Sequence, residues 1–350
     1  FQAMTMYQFS GDLEYLNGIG AVPQGIGNED LGWERELSYN LGTYISIFDR
    51  HFNFMFDISL KKTTDLVLDA SRAPSTGTTS AKENIGELEN KGLEFQVDGM
   101  LVQRNDFYWQ VAATGSMNRN RILKINSALK KANEDANKVD SKTPLAQYEE
   151  GESTTALKVV KSAGIDPATG QEVFIKLNGE RTFEYSADDK FVIGDTEPRF
   201  RGTVSTNLFY KGFSLYLLGR YECGAYLYNE TRATKVEGAN PKKNADKRVF
   251  DSRWKSPGDI AFYKDIADSD GWGTNPKHSD RFVEKENVFT LGTVNFGYEF
   301  GQNICSKIGV RNLRVGVNLT DIVRWSNVKI ERGTTYLYSN GFEFTLSTTF

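Results

Sequence analysis

The sequence predicts an all-β protein: a transmembrane antiparallel β-barrel with short turns on one rim and long extracellular loops on the other. Nine separate segments alternate apolar and polar residues with a period of two, as half-buried strands do. The connections between them are alternately short and long. The composition, with 23 Phe and 16 Tyr but only 8 Pro and 5 Met in 350 residues, favours strands over helices.

The first four predicted strands form two hairpins. Residues 33–48 and 52–61 are joined by the three residues "DRH", and residues 92–102 and 107–118 by the four residues "QRND". In the second strand the apolar side chains are Phe52, Phe54, Phe56, Ile58 and Leu60. Polar residues occupy most of the intervening positions, so each hairpin has one apolar and one polar side.

Five more strands follow with the same alternation. The predicted segments are 200–210, 213–224, 288–300, 312–320 and 341–350. The opening residues 1–9, "FQAMTMYQF", are a candidate tenth strand.

The connection lengths give the barrel its orientation. They are roughly 3, 4, 2 and 11 residues on one rim and roughly 30, 81, 63 and 20 on the other. Barrels of the outer membrane have short periplasmic turns and longer external loops. A soluble β-sandwich also alternates along its strands, but loops of 60 to 80 residues are unusual in one, so the membrane barrel is favoured.

The aromatic residues beside the short turns predict a periplasmic girdle, where rings lie between acyl chains and headgroups. Its predicted members are Phe48, Phe52, Phe107, Trp109, Tyr210, Phe213, Phe300 and Phe350. Charged residues on the polar faces are predicted to face the lumen or a plug, because a charge facing lipid at mid-depth is costly. They are Glu34, Glu36, Asp57, Glu94, Asp98, Arg201, Arg220 and Arg314.

The long loops contain many aromatic residues, which have two interpretations. They could stack on sugar rings or hold peptide side chains, or they could form small cores within the loops. The candidate substrate-binding residues are Tyr226, Tyr228, Trp254 and Trp272 in the loops, with Asn118 and Arg119 in the upper lumen.

Several kinds of chemistry are disfavoured. The net charge of −4 gives no basic field for nucleic acid, and Cys223 and Cys305 have no zinc-type or disulfide-framework spacing. The histidines, His51 and His278, fall on opposite rims. The segment "DIADSDGWG" (265–273) fails the EF-hand pattern. We therefore predict no catalytic residues, no metal and no cofactor.

Seven strings of this sequence, which occur in the same order as in the family, resemble the C-terminal part of the SusC/RagA-type TonB-dependent outer-membrane transporters of Bacteroidetes. Among them are "NKGLEFQVDGMLVQRNDFYWQVAATGSMNRNRI" (90–122), "GIDPATGQEVF" (164–174), "WKSPGD" (254–259) and "NLRVGVNLTDI" (312–322). The loop before the last strand departs from the more Pro-rich pattern that is common in the family. The resemblance spans almost the whole chain.

This resemblance implies an architecture and a function. The architecture is a barrel of about 22 strands closed by a plug. Residues 1–350 would supply the C-terminal nine or ten strands of its single barrel domain, with the plug and the N-terminal strands absent from this chain. The function is active import of an oligomeric nutrient, glycan or peptide, across the cell outer membrane. The implied partners are a SusD-like surface lipoprotein, TonB, the plug and the lipid bilayer, without nucleic acid.

Two alternatives remain open on the residues alone. One is a self-contained ten-stranded outer-membrane hydrolase, and the other is a purely structural or adhesive barrel.

Overall fold

The computed structural model describes residues 4–15, 18–25, 27–71, 80–139, 141, 143–240, 244–266, 276–329 and 339–350. Its strands are β1 (Met6–Tyr15), β2 (Gly18–Gly25), β3 (Arg35–Ile47), β4 (Phe52–Ser71), β5 (Ser80–Arg104), β6 (Phe107–Ile125), β7 (Ala156–Ile165), β8 (Glu172–Ile175), β9 (Arg181–Thr182), β10 (Lys190–Asp195), β11 (Phe200–Tyr210), β12 (Phe213–Tyr228), β13 (Val283–Glu299), β14 (Asn312–Ser326) and β15 (Gly341–Thr349). Its α-helices are α1 (Ser127–Lys138) and α2 (Gln302–Cys305).

The main element is a nine-stranded antiparallel sheet in the order β15-β14-β13-β12-β11-β6-β5-β4-β3. All nine predicted strands are therefore confirmed, and each pairs with the next member along the chain. The candidate tenth strand is wrong within the described residues, because β1 pairs with β2 in a separate two-stranded sheet.

The predicted loop of about 30 residues between residues 61 and 92 is also wrong. Residues Lys61–Ser71 of β4 pair with Ser80–Asn90 of β5, so most of this stretch prolongs the hairpin. The residues of this stretch lack the strict apolar alternation of residues 52–60 of β4. A strand with water on both faces needs no apolar side. A membrane strand needs only about 9 to 11 residues, so β4 and β5, with 20 and 25, are about twice as long as required.

Among the described residues, no second layer packs over the part of the nine-stranded sheet that lies nearest the short turns. Every residue of β3 is exposed, and large apolar side chains such as Leu41 and Phe344 lie open to the surroundings. The sheet register places the apolar residues together on one face: Phe56 pairs with Phe95, and Leu319 pairs with Phe342.

An aromatic row crosses this apolar face. Phe95 and Phe200 stack with ring centroids 6.0 Å apart, although β6 lies between their strands. Gly115 of β6 makes this possible, because a Cβ there would lie 2.5 Å from Phe95 Cζ and 2.9 Å from Phe200 Cε2. The row continues from Phe200 to Tyr221, with centroids 5.2 Å apart.

The described residues of the long loops after β6 and β12 pack together, with Tyr228 at the end of β12, into what we call the loop assembly, which lies within residues 126–199 and 228–282. It contains a four-stranded sheet in the order β10-β7-β8-β9 and a π-helix, Thr231–Glu237. Its hydrophobic core comprises Leu157, Val159, Tyr228, Ala233, Val236, Tyr263 and Phe282. Within the described ranges, no helix is both long and apolar enough to cross a membrane.

Candidate functional site

The polar face of the sheet gathers the charged residues that were predicted to face the lumen. Asp57 lies opposite Glu94, Arg201 lies opposite Ser116, and Arg314 hydrogen-bonds Ser214 Oγ at 3.3 Å. The register places Glu36, Asp98 and Arg220 on the same face. Glu34 precedes β3 and accepts a 3.4 Å hydrogen bond from Val67 N. That these residues touch a plug stays a prediction.

The predicted girdle residues lie beside the short connections. Phe48 and Phe52 are edge to face at 6.3 Å, as are Phe107 and Tyr210 at 5.9 Å, and Phe213 lies against Tyr298 at 4.5 Å. Trp109 Nε1 donates to Thr206 Oγ1 at 2.8 Å. Phe300 and Phe350 directly follow β13 and β15. Their contact with a membrane interface stays a prediction.

The prediction that Tyr226 and Tyr228 belong to a loop is wrong, because β12 extends to Tyr228 and pairs with β13 there; Trp254 does lie in the loop after β12. Tyr228 and Trp254 are only 8% and 9% exposed, and Trp254 Nε1 donates to the Pro167 carbonyl at 2.9 Å. Tyr226 is half-buried against the core. Packing accounts for all three positions, and substrate binding stays a prediction.

Two predicted features lie outside the described residues. One is Trp272. The other is the part of the segment "DIADSDGWG" that contains Asp268, Asp270 and Gly271, where the sequence predicts an ordinary turn.

A buried ionic cluster joins the two parts of the loop assembly. Arg281 donates to Glu172 Oε2 at 2.6 Å and to Glu237 Oε1 at 2.8 Å, and no side chain of the three is more than 6% exposed. Burial alone would lower the pKa of Arg281, but attraction to Glu237 and Glu172 outweighs burial and raises that pKa. Sequence reasoning missed this cluster, since Glu172 and Arg281 are 109 residues apart and neither belongs to a periodic pattern.

Arg253 is another buried cation of the loop assembly. Its guanidinium donates to the carbonyls of Val249, Val236, Glu237 and Lys264, at 2.6 to 3.1 Å. Carbonyls that would otherwise be buried without partners are thereby satisfied, so this residue holds the backbone of residues 236–264 together.

The upper part of β6 forms one wall of a polar cleft of about 540 Å³. The pairing of β11 with β6 stops at Arg201 and Ser116. Above that point the chain at Gly151 and Glu152 takes the place of β11, through two backbone hydrogen bonds of 2.8 Å to Ile122. The cleft lies between this segment, the upper end of β6 and residues 195–199.

Asn118 and Arg119 both line this cleft, but they occupy opposite faces of the sheet. Asn118 lies opposite Gly92 on the polar face, whereas Arg119 lies opposite Lys91 and continues the apolar row of Met117 and Leu93. The prediction that Arg119 faces the upper lumen is therefore wrong, because successive residues of a strand alternate in direction. A role of either residue in substrate binding stays a prediction.

A second cavity, of about 320 Å³, lies between the C-terminal end of α1 and residues 276–278. Burial raises the pKa of Tyr185, which lines it, to about 12, and burial followed by repulsion from Lys158 lowers the pKa of Lys190. His278 Nε2 lies 3.0 Å from the Ser141 carbonyl. Among the residues that the structure describes, no three His, Cys, Asp or Glu side chains cluster as a metal site.

No family model matches the chain, but individual proteins do. It is 23% identical over 376 residues to TonB-dependent receptor P39 of Formosa agariphila, covering 93% of this chain and 35% of that protein. It is 27% identical over 341 residues to TonB-dependent receptor P3 of the same organism, covering 92% and 32%. A stretch of 100 residues, 28% of the chain and 10% of the relative, is 31% identical to TonB-dependent receptor SusC of Bacteroides thetaiotaomicron.

Solved structures show the same fold. The RagAB peptide transporter matches with a TM-score of 0.76 at 19% identity, covering 94% of this chain and 36% of that one. The RagAB peptide importer in its 'open-open' state matches with a TM-score of 0.77 at 19% identity, covering 100% and 38%. The chain spans about a third of the length of the curated receptors that it matches over most of its own length. Its resemblance to SusC/RagA-type TonB-dependent receptors is confirmed, and its nine-stranded sheet belongs to a chain with the fold of about a third of the matched RagAB structures.

Proposed function

We propose that the chain is the C-terminal wall of a plugged outer-membrane barrel that imports an oligomeric nutrient, glycan or peptide. A SusD-like lipoprotein would cover the external loops, and TonB would act through the plug. The observation that carries the proposal is the nine-stranded sheet, whose apolar face is not covered by a second layer of described residues and whose other face is charged.

The two faces of this sheet suit lipid on one side and a hydrated lumen on the other. An exposed apolar face as wide as nine strands would promote aggregation in water, whereas a bilayer covers it. In the opposite orientation, each Arg of the charged face would meet lipid at a cost of about 2 to 4 kcal/mol at mid-depth. Arg220, which projects from the charged face seven residues above the start of β12, therefore supports this orientation.

Transport, rather than catalysis, agrees with the relatives. The curated relatives are TonB-dependent receptors, and the RagAB structures are described as a peptide transporter and importer. The loop assembly over one rim would contribute to a vestibule in which cargo meets the lid. Peptide, the cargo named for RagAB, is one of the two nutrient classes that we propose for this chain.

Spin labels test the architecture in the full-length protein within outer-membrane vesicles. We expect labels at Phe54 and Leu93 to be accessible to oxygen dissolved in lipid, and labels at Asp57 and Glu94 to be accessible to a water-soluble nickel chelate. Asp57 lies opposite Glu94, and Leu93 precedes Glu94 on β5, so these three labels are matched in depth and differ in face, whereas Phe54 lies three residues nearer the short turn than Asp57. Equal lipid accessibility of the two sets would contradict the barrel.

Uptake assays test the transport step. Cells that lack the full-length protein should lose uptake of one labelled oligomer class, either peptides or glycans, and regain it with the restored protein but not when TonB is absent. Affinity purification through the full-length protein should recover a surface lipoprotein. Normal uptake of both oligomer classes in the deletion strain would count against an importer.

A further inference from the structure

We propose that the cleft beside upper β6 binds the phosphate of an outer-leaflet lipid headgroup, with Arg119 and Arg121 as its ligands. This inference rests on the membrane placement proposed above. It does not depend on the cargo or on the lid.

The height of the cleft places it at the level of the headgroups. Arg119 lies ten residues above Trp109 on β6, and Lys62 lies ten residues above Phe52 on β4. At about 3.3 Å per residue and a strand tilt of about 40°, ten residues rise about 25 Å, which is the height of the apolar band in such barrels. The two cations therefore lie at the upper boundary of that band.

The face is also the correct one. Arg119 and Arg121 pair with Lys91 and Glu89 of β5, directly above the apolar pair of Met117 and Leu93. Strands β4 to β6 have neighbours on both edges, β3 and β11. Strands added at the outer edges of the sheet would therefore leave this face uncovered.

The charges of the cleft leave its arginines available. Its acids are already engaged: Glu89 with Lys91 Nζ at 2.8 Å, Glu197 with Arg201 at 3.8 Å and Asp195 with Thr155 Oγ1 at 2.9 Å. The guanidinium groups of Arg119 and Arg121 are exposed and bond no residue that the structure describes.

The chemistry favours a phosphate. Guanidinium groups bind phosphate oxygens through paired N–H donors, and basic pockets at membrane boundaries bind lipid headgroups. The acyl chains of a lipid held there would lie along the apolar rows that begin at Met117 and Leu93. A cleft of about 540 Å³ is large enough for a headgroup.

Native mass spectrometry of the full-length protein in detergent micelles tests the inference, with phosphatidic acid and a diacylglycerol, which has no phosphate, as competing probes of matched acyl chains. We expect the wild type to retain phosphatidic acid in preference. The double variant Arg119→Gln/Arg121→Gln should lower that retention about tenfold, since it removes both charge-assisted ligands. The matched control, Arg220→Gln/Arg314→Gln, removes two cations from the charged face and should retain phosphatidic acid as the wild type does.

Three outcomes would overturn the inference. Equal retention of both lipids would show an apolar annulus without a phosphate site. An equal loss in the control variant would show a general effect of net charge, and displacement of the lipid by excess inorganic phosphate would identify a site for free phosphate. Failure of the spin-label test, by contrast, would overturn the membrane placement itself.

Discussion

The sheet and the loop assembly solve the problem of stability in opposite ways. In the sheet every residue of β3 is exposed, and order comes from a ladder of backbone hydrogen bonds that links nine strands with a few local register shifts. In the loop assembly Val159, Ala233 and Phe282 are completely buried, and a three-residue ionic cluster lies beside them.

The contrast shows where each part obtains its free energy. The sheet depends on the bilayer, because a backbone group left unpaired in lipid costs several kcal/mol, and single side chains matter little. The loop assembly depends on its own packing, as soluble domains do, so single side chains matter a great deal. Substitutions in matched pairs, one in each region, can test this difference.

The largest effect is expected for Arg281→Met. The change leaves Glu172 and Glu237 buried together without their cation, and breaking such a cluster typically costs about 3 to 5 kcal/mol. We expect the loop assembly to become sensitive to protease while the barrel keeps its heat-modifiable mobility on gels. Arg314→Met, on the charged face of the sheet, is the control and should leave the protease resistance of the loop assembly intact. Resistance of the Arg281→Met protein would mean that the cluster is dispensable.

A similar but slightly smaller effect is expected for Phe282→Ala. Removing a completely buried phenylalanine side chain costs about 3 to 5 kcal/mol where the cavity cannot collapse. Phe296→Ala, on the apolar face of the sheet, should cost less, because lipid fills the space. Thermal melting of both variants, followed by hydrogen exchange of the loop amides, measures the difference. Equal destabilisation would remove the distinction between the two regions.

A moderate effect is expected where the sheet is locally crowded. Gly115→Leu would push apart the stacked rings of Phe95 and Phe200, and such overpacking costs about 1 to 3 kcal/mol. The midpoint of heat modification should fall, and the protease resistance of the loop assembly should not change. Gly301→Ala is the control, since nothing lies within 4 Å of its added Cβ.

The smallest effect is a dependence on alkaline pH that is confined to the loop assembly. Burial, followed by repulsion from Glu172, raises the pKa of Tyr185 to about 12, and burial raises the pKa of Tyr228 as well. A tyrosine pKa that is higher in the folded state gives stability that is complete below the unfolded pKa of about 10 and lost as pH rises towards 12. Absorbance at the tyrosinate band should show a late step that Tyr185→Phe diminishes, and a Tyr185→Phe protein with an unchanged late step would contradict this assignment.

The same contrast explains how much could be predicted from sequence. All nine strands of the sheet follow from alternation, because two different environments dictate which side of each strand is apolar. That signal disappears where β4 and β5 leave the apolar band, so the loop predicted there proved to be strand. Arg119 was assigned to the lumen because it was grouped with the polar residue Asn118, although the alternation that puts Met117 on the apolar face puts Arg119 there too.

The loop assembly was out of reach for a different reason. The contacts of Arg281 with Glu172 and Glu237 join residues that are far apart in sequence, and no local pattern marks them. The burial of Tyr228 and Trp254 agrees with one of the two interpretations left open, that of a core within the loops. Distinguishing the two required coordinates.

The Arg281 cluster also constrains how such a protein can change during evolution. Glu172 belongs to the loop after β6, whereas Glu237 and Arg281 belong to the loop after β12, so the two loops share one buried charge balance. A replacement of the loop after β12 alone would leave Glu172 buried without its cation, and a replacement of the loop after β6 alone would remove one of the two carboxylates that balance Arg281. New cargo preferences should therefore arise by exchange of both loops together, and chimaeras between relatives should fold only when the two loops come from the same parent.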